Sequence, residues 1–152
     1  HWPKYVEGCE RAGRQADPAN WRVAKSIFVA DDMKTARDYA LGTNSPYRFY
    51  YSQLLTKMKK HGRTNLFKSD PNMPDDEVTL DMVMDECVIW GTHDKVADDI
   101  LALRDEIGDF GTLLYAGKDW ADVGLGRKSM ILLAEKSMPA VNVAIGRKRV
   151  AV

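Results

Sequence analysis

Two short, almost uncharged segments constrain the fold of this chain more than any other feature. Residues 21–30 read WRVAKSIFVA, and residues 112–116 read TLLYA. Apolar residues on both faces of a strand are typical of a parallel sheet that helices cover on both sides. We therefore predict a strand at 21–30 that is buried on both faces, and a second parallel strand at 112–116.

Amphipathic helices are predicted between these strands. Asp32 is placed to accept from the open amides of a helix at 33–41, and Ser45 followed by Pro46 is a favourable helix start, with Gly62 near its end. Further elements are expected at 79–87, 94–107 and 124–138 as helices and at 88–90 as a short extended piece. Apolar strands that alternate with amphipathic helices indicate right-handed βαβ units and an α/β fold.

The chain reads as part of a larger domain. Trp2, Tyr5, Val6 and Cys9 recur at helical spacing from the first residues, without a preceding cap. Two strong parallel strands do not make a covered sheet by themselves. We therefore interpret residues 1–152 as a single partial domain whose N-terminal portion is missing.

Two segments of this partial domain have a distinct character. Residues 45–76 combine a helix with a long polar loop that contains Pro71 and Pro74, and long loops in compact domains are often functional lids. We interpret them as an insertion or lid. Pro139 is expected to end the last helix, and residues 143–152 are predicted to form a loose basic tail.

Composition argues against several function classes. The chain has 22 Lys and Arg against 22 Asp and Glu, whereas a nucleic-acid binder usually has a basic excess. No stretch reaches the roughly 18–20 consecutive apolar residues of a membrane span. Cys9 and Cys87 are too few for a disulfide scaffold and lack metal-ligand spacing, so a cytoplasmic location fits best.

The individual polar candidates mostly have simple structural interpretations. His93 and Asp94 fall in a first helical turn, where the acid complements the helix dipole, and the acidic run 75–77 precedes a helix. Neither has the ligand pattern of a metal site, so no metal is predicted. Lys25 and Ser26 interrupt an apolar strand, where a lysine is costly to bury unless it is paired or faces a polar cavity.

Five segments, in their order along the chain, carry a family pattern. They are VAKSIFVADDMKTARDYAL (23–41), SPYRFYYSQLLTKMKKHG (45–62), DPNMPDDEVTLD (70–81), CVIWGTHDKVADDILALRDEIGDFGTLLYAG (87–117) and SMILLAEKSMPAVN (129–142). Together they resemble the bacterial luciferase-like flavin-dependent monooxygenases. The second and third resemble the insertion of a limonene monooxygenase-like subgroup.

The resemblance implies a (β/α)8 TIM barrel with a helical insertion. Such barrels need about 250 residues, so this chain would hold only the C-terminal portion and its barrel would be incomplete. The catalytic histidine and most flavin-contacting segments of such proteins lie in the N-terminal portion. The catalytic residues are therefore unknown for this chain.

The resemblance also implies an activity. Reduced FMN, supplied by a flavin reductase, would react with O2 to oxygenate a small organic substrate, while the protein positions the flavin and keeps water away. The residues predicted from their placement on the two strands to line the substrate pocket or the cofactor are Lys25, Ser26, Phe28, Tyr115 and Gly117.

Two other functions remain open at this point. The first alternative is a non-catalytic luciferase-like remnant or a dimerising interaction module. The second is a deazaflavin-dependent oxidoreductase of the same fold. The expected partners of the enzyme are the flavin reductase, the N-terminal portion of the same protein and a second copy in a homodimer. No nucleic-acid or membrane partner is expected.

Overall fold

A computed structural model of the chain describes residues 2–68 and 70–150. The helices and strands, in chain order, are α1 (Trp2–Arg11), β1 (Arg22–Val29), α2 (Met33–Leu41), α3 (Pro46–Lys60), α4 (Leu80–Cys87), β2 (Val88–Gly91), α5 (His93–Ile107), β3 (Thr112–Tyr115), α6 (Val123–Leu132) and α7 (Met138–Val150). Single 3-10 turns lie at Pro18–Asn20, Thr64–Phe67 and Asp75–Glu77. The predicted α/β class is confirmed.

Short polar side chains fix where the helices start. The Asp32 carboxylate accepts from the Thr35 amide at 2.8 Å, and the Ser45 hydroxyl accepts from two first-turn amides of α3. Thr79 caps α4 in the same way. These bonds satisfy amides that have no partner within the helix, which is why the helix starts were predictable.

The three strands form a parallel sheet in the order β2-β1-β3. The second half of β1 pairs with β2 on one edge, where Phe28 is opposite Trp90, and its first half pairs with β3 on the other, where Ala24 is opposite Leu114. A TIM barrel places consecutive strands side by side. Here β3 pairs with the first half of β1 and not with β2, which pairs with the second half of β1.

The predicted burial of the first strand holds for only half of it. The residues from Ser26 to Val29 are buried on both faces, whereas Arg22 and Ala24 are exposed. On β3, Leu114 is 60% exposed. The prediction for 21–30 is wrong in the first half because the helices gather around the carboxyl half of β1 only.

Two hydrophobic clusters lie on the two faces of β1. The aromatic core packs against α2, α3 and α4, and its buried members include Phe28, Tyr39, Tyr47, Tyr51, Leu55, Val83 and Met84. The aliphatic core packs against α5 and the C-terminal helices, and consists of Ile27, Val29, Ile89, Val96, Ala97, Ile100, Leu133 and Val141. Alternate side chains of one strand therefore supply two cores of different chemistry.

The C-terminal helix continues past the predicted stop. A π-helical turn at Leu133–Ser137 joins α6 to α7, and the Met138 amide bonds back to the Leu133 carbonyl. Pro139 is tolerated because it stands in the first turn of α7, where its missing N–H is not needed. The expected end at Pro139 is wrong, and the predicted loose tail is helical up to Val150; residues 151 and 152 lie outside the described residues.

Candidate functional site

On the edge of β1 that extends beyond β3, side-chain hydroxyls take the place of a neighbouring strand as hydrogen-bond partners of the backbone. The Tyr47 hydroxyl donates to the Ile27 carbonyl at 2.6 Å, and the Val29 amide donates to the Ser129 hydroxyl at 2.8 Å. The hydroxyls of Ser129 and Tyr115 lie 3.2 Å apart. Helices α3 and α6 and the end of β3 thus converge on the carboxyl half of β1, where parallel α/β folds place their ligands.

Three aromatic rings form the floor of this region. Phe28 stacks on Tyr39 with ring centroids 4.2 Å apart, and Tyr47 meets both rings edge to face at 6.3 Å. All three side chains are buried. Offset and edge-to-face pairs of this kind hold their rings in a fixed geometry, so the floor is rigid and apolar.

A buried lysine lies beside these rings. Lys118, in the loop after β3, is only 9% exposed. Its Nζ lies 4.6 Å from the ring centroid of Tyr50 and 5.5 Å from that of Tyr47, and it donates to the Ala116 carbonyl at 3.1 Å. The Tyr39 hydroxyl fixes the loop by donating to the Lys118 carbonyl at 2.6 Å.

Burial sets the protonation of these groups. It raises the pKa values of Tyr47 and Tyr115 above their ordinary range and that of Tyr51 to about 12, and it lowers the pKa of Lys118. The phenols are therefore protonated at neutral pH and act as hydrogen-bond donors rather than bases. The region offers donors, aromatic surface and one ammonium group.

The structure separates the predicted site residues into two groups. Phe28 and Tyr115 belong to the region above, and Gly117 packs on Tyr115, since an added Cβ would lie 2.3 Å from the Tyr115 Cε1 atom. Lys25 instead donates to the Glu86 carbonyl at 2.6 Å, which is the pairing that a strand lysine requires.

Ser26 also lies apart from the hydroxyls on the edge of β1. Its hydroxyl is 2.9 Å from that of Tyr51, inside the aromatic core. Helices α2 and α3 cover the face of β1 that carries Ser26 and Phe28. That the five predicted residues line a pocket stays a prediction.

Three residues of this region were not found from the sequence. Lys118 stands in a short loop whose local sequence contains no binding motif. Tyr47 lies in α3, and its hydroxyl bond to β1 depends on tertiary packing. Ser129 belongs to no nucleophile motif, and its role here is to accept a backbone amide.

Clefts lie at both ends of the sheet. One of about 440 Å³ runs between the start of α3 and the loop after β3, and its lining includes Ser45, Phe49 and Trp120. A more apolar cleft of about 580 Å³ at the other end is lined by Trp2 and Trp21 among others. The first adjoins the segments that enclose Lys118.

The described part of the chain, residues 2–68 and 70–150, has neither a cluster of metal ligands nor a helix that could span a membrane. No group of three or more His, Cys, Asp and Glu residues is arranged to hold a metal ion. No helix there is both long enough and apolar enough to cross a bilayer.

Comparison with known proteins identifies the class. The chain is homologous to monooxygenases, and its fold matches part of a solved FMN-binding monooxygenase, so the predicted resemblance to luciferase-like flavin monooxygenases is confirmed. No protein-family model matches the chain.

Two curated relatives and one solved structure carry this result. The chain is 33% identical over 141 residues to 4-hydroxyprotoasukamycin monooxygenase of Streptomyces nodosus subsp. asukaensis, covering 93% of this chain and 36% of the relative. It is 25% identical over 123 residues to 3,6-diketocamphane 1,6-monooxygenase of Pseudomonas putida, covering 80% of this chain and 32% of the relative. The chain therefore spans about a third of the length of these relatives.

The solved structure is a type II Baeyer-Villiger monooxygenase in complex with FMN, the oxygenating constituent of 3,6-diketocamphane monooxygenase from Pseudomonas putida. The superposition has a TM-score of 0.76 at 24% identity and covers 93% of this chain and 39% of that one. At this identity the match shows the fold alone. The arrangement of helices and strands described above is therefore similar to a portion of a longer chain.

Proposed function

We propose that this chain is the C-terminal portion of an FMN-dependent monooxygenase that uses reduced flavin and O2 to oxygenate a small organic substrate. The observation that carries the proposal is the 33% identity to a monooxygenase over 93% of the chain. The fold match to an FMN-binding monooxygenase supports it. In this proposal strands from the N-terminal portion complete a (β/α)8 barrel, in which β3 would pair with β2 and not with β1 as it does in this chain.

The residues at the carboxyl half of β1 fit FMN. The cofactor has a flat aromatic ring system and a phosphate. The adjoining cleft offers the exposed aromatic side chains of Phe49 and Trp120, and beside it lies the buried ammonium of Lys118, which the described residues pair with no carboxylate. When bound, FMN supplies the reaction with O2 from which one oxygen atom passes to the substrate.

This chain's own residues would then act by positioning and by excluding water. The stacked rings of Phe28 and Tyr39 are buried and would form a rigid, water-free support beneath the ligand region. The protonated hydroxyl of Tyr115 is placed to donate at the end of β3. Helix α3, within the insertion at 45–76, covers the region and would act as part of a lid that closes over the bound ligands.

The remaining partners are part of the same proposal. A separate flavin reductase would deliver the reduced cofactor, and the protein would work as a homodimer. We propose the cytoplasm as its compartment because Cys9 and Cys87 are both free thiols.

The test is oxygen transfer by the full-length protein that contains these residues. The protein is mixed with chemically reduced FMN under 18O2 and with a panel of small ketones that includes 3,6-diketocamphane, and the products are analysed by mass spectrometry. We expect one 18O atom per product molecule, with none when oxidised FMN is used without a reductant.

Two other outcomes would contradict the proposal. Turnover with a reduced deazaflavin but not with reduced FMN would identify the deazaflavin-dependent alternative. Failure to bind either cofactor would identify the non-catalytic remnant. A protein denatured beforehand serves as the control for oxygenation by free flavin.

A further inference from the structure

The ammonium group of Lys118 lacks the partner that its burial requires. Burying a charged amine is costly unless it is paired, and an ammonium has three donors. Within the described residues, one donor goes to the Ala116 carbonyl and no carboxylate forms an ion pair with Nζ. The rings of Tyr47 and Tyr50 offset only part of this cost.

The acidic residues near Lys118 do not neutralise it. Asp122 uses its carboxylate to accept from the Leu125 amide at 2.9 Å and so caps α6. Asp119, the next residue in the chain, is exposed, and its Cβ packs toward Gly126. The ammonium is therefore a cation without a counter-ion in the interior of the chain.

The aromatic ring nearest the ammonium belongs to a surface side chain. Tyr50, whose ring lies closest to Nζ, is 43% exposed. The cleft of about 440 Å³ is lined by Phe49 and Trp120, which flank Tyr50 and Lys118 in sequence, and also by Arg48. Rotation of the Tyr50 ring would uncover the ammonium on the side of this cleft. The Arg48 guanidinium there is already paired with Asp81 and donates to the Leu41 carbonyl, which leaves Lys118 as the cation without a carboxylate partner among the described residues.

We propose that Lys118 binds the phosphate group of a ligand in this cleft, and that the Tyr50 ring covers the site in the free chain. A phosphate accepts from the free N–H donors and supplies the missing negative charge. The phosphate is that of FMN if the proposed function is right, and inorganic phosphate is the other source of the same chemistry. The assignment of FMN rests on the proposed function, whereas the assignment of an oxyanion rests on Lys118 itself.

The experiment compares FMN with riboflavin, which is the same flavin without the phosphate. Dissociation constants are measured by flavin fluorescence on the full-length protein and on its Lys118→Met and Lys118→Arg variants. Lys60→Met, which removes an exposed charge from the end of α3, is the matched control. Circular dichroism checks that each variant is folded.

We expect the unaltered protein to bind FMN about ten- to hundredfold more tightly than riboflavin, as for the loss of one hydrogen bond to a charged group. Lys118→Met should bring the two affinities together by weakening FMN alone. Lys118→Arg should keep part of the preference, and Lys60→Met should keep all of it. Tyr50→Ala should speed FMN association while preserving the preference.

A preference for FMN that survives in Lys118→Met would overturn the proposal, as would equal binding of FMN and riboflavin by the unaltered protein. If neither flavin binds, the proposed function fails, and inorganic phosphate decides about the site. Phosphate that raises the melting temperature of the unaltered protein but not of Lys118→Met would support an oxyanion site. Equal or absent shifts would overturn it.

Discussion

The two faces of β1 have different chemistry although they belong to one strand of eight residues. The aliphatic core holds Ile27 and Val29 against α5 and α7, and its buried members are all aliphatic, although the Tyr115 ring packs against its border. The aromatic core holds Phe28 against α2 and α3 and contains three tyrosines, of which Tyr47 donates to the β1 backbone. The first face only stabilises the fold, whereas the second also orients polar groups toward the carboxyl half of the sheet.

In a chain without a catalytic motif, this difference indicates which face of the strand is the better candidate for ligand binding. A tyrosine in a core requires a partner for its hydroxyl, and each partner fixes a geometry. An aliphatic side chain imposes no such requirement. Mutations on the two faces should therefore separate stability from ligand binding.

The largest expected effect is on the aliphatic face. Ile100→Ala removes a fully buried side chain from α5 and should lower the free energy of unfolding by about 2–5 kcal/mol, with flavin affinity unchanged in the folded protein. Urea denaturation followed by circular dichroism measures it. Ile131→Ala, at an exposed position of α6, is the control and should cost much less. Loss of flavin affinity in folded Ile100→Ala would contradict the claim that the aliphatic face contributes to stability only.

The second effect is on the aromatic face. Tyr47→Phe leaves the buried Ile27 carbonyl without its donor and should cost about 1–3 kcal/mol of unfolding free energy. Unlike Ile100→Ala, it should also weaken flavin binding, because α3 loses its hydrogen bond to β1. Tyr50→Phe is the matched control, because it removes the same hydroxyl group from a half-exposed position of the same helix. Equal losses of stability in Tyr47→Phe and Tyr50→Phe would contradict this prediction.

The third effect concerns the contact between Gly117 and Tyr115. In Gly117→Ala the new methyl group would overlap the Tyr115 ring, so the ring must shift, at a cost of about 1 kcal/mol because both residues are only half-buried. Gly8→Ala, with no atom within 4 Å of the new Cβ, should instead stabilise α1 by about 0.5–1 kcal/mol. Thermal unfolding distinguishes the two signs, and stabilisation by both would show that Gly117 has room for a side chain.

The smallest effect is a pH dependence from Lys118. Burial lowers its pKa in the folded chain, so the unfolded chain holds the proton up to higher pH. Stability from this group therefore rises as the pH increases from the lowered pKa toward the ordinary value of 10.5. Over that pH range, the free energy of unfolding of the unaltered protein should increase relative to that of Lys118→Met. The tyrosines titrate in both proteins and cancel, and a constant difference would refute the prediction.

The sequence was sufficient for the local structure. Asp32, Ser45 and Thr79 marked helix starts because their caps involve only residues within one turn. The strands at β1 and β3 were predictable because short, almost uncharged apolar runs between amphipathic helices are typical of buried parallel strands. The resemblance to flavin monooxygenases was visible because several segments occur in the right order.

Contacts between distant residues were not predictable. The pairing of β3 with β1 joins Lys25 to Tyr115, and no local pattern encodes which edge a strand will choose. The surroundings of Lys118 include the rings of Tyr47 and Tyr50, which belong to helix α3 and are distant in sequence. The continuation past Pro139 depends on a π turn that realigns the helix before the proline.

The most direct test of the difference between the two faces is hydrogen–deuterium exchange of the full-length protein with and without FMN. We predict that FMN binding slows backbone amide exchange in α3 (Pro46–Lys60) and in residues 112–118. Exchange in α5 (His93–Ile107) should be unchanged. Slowing confined to α5, or equal on both faces of β1, would contradict the claim that the aromatic face carries the ligand.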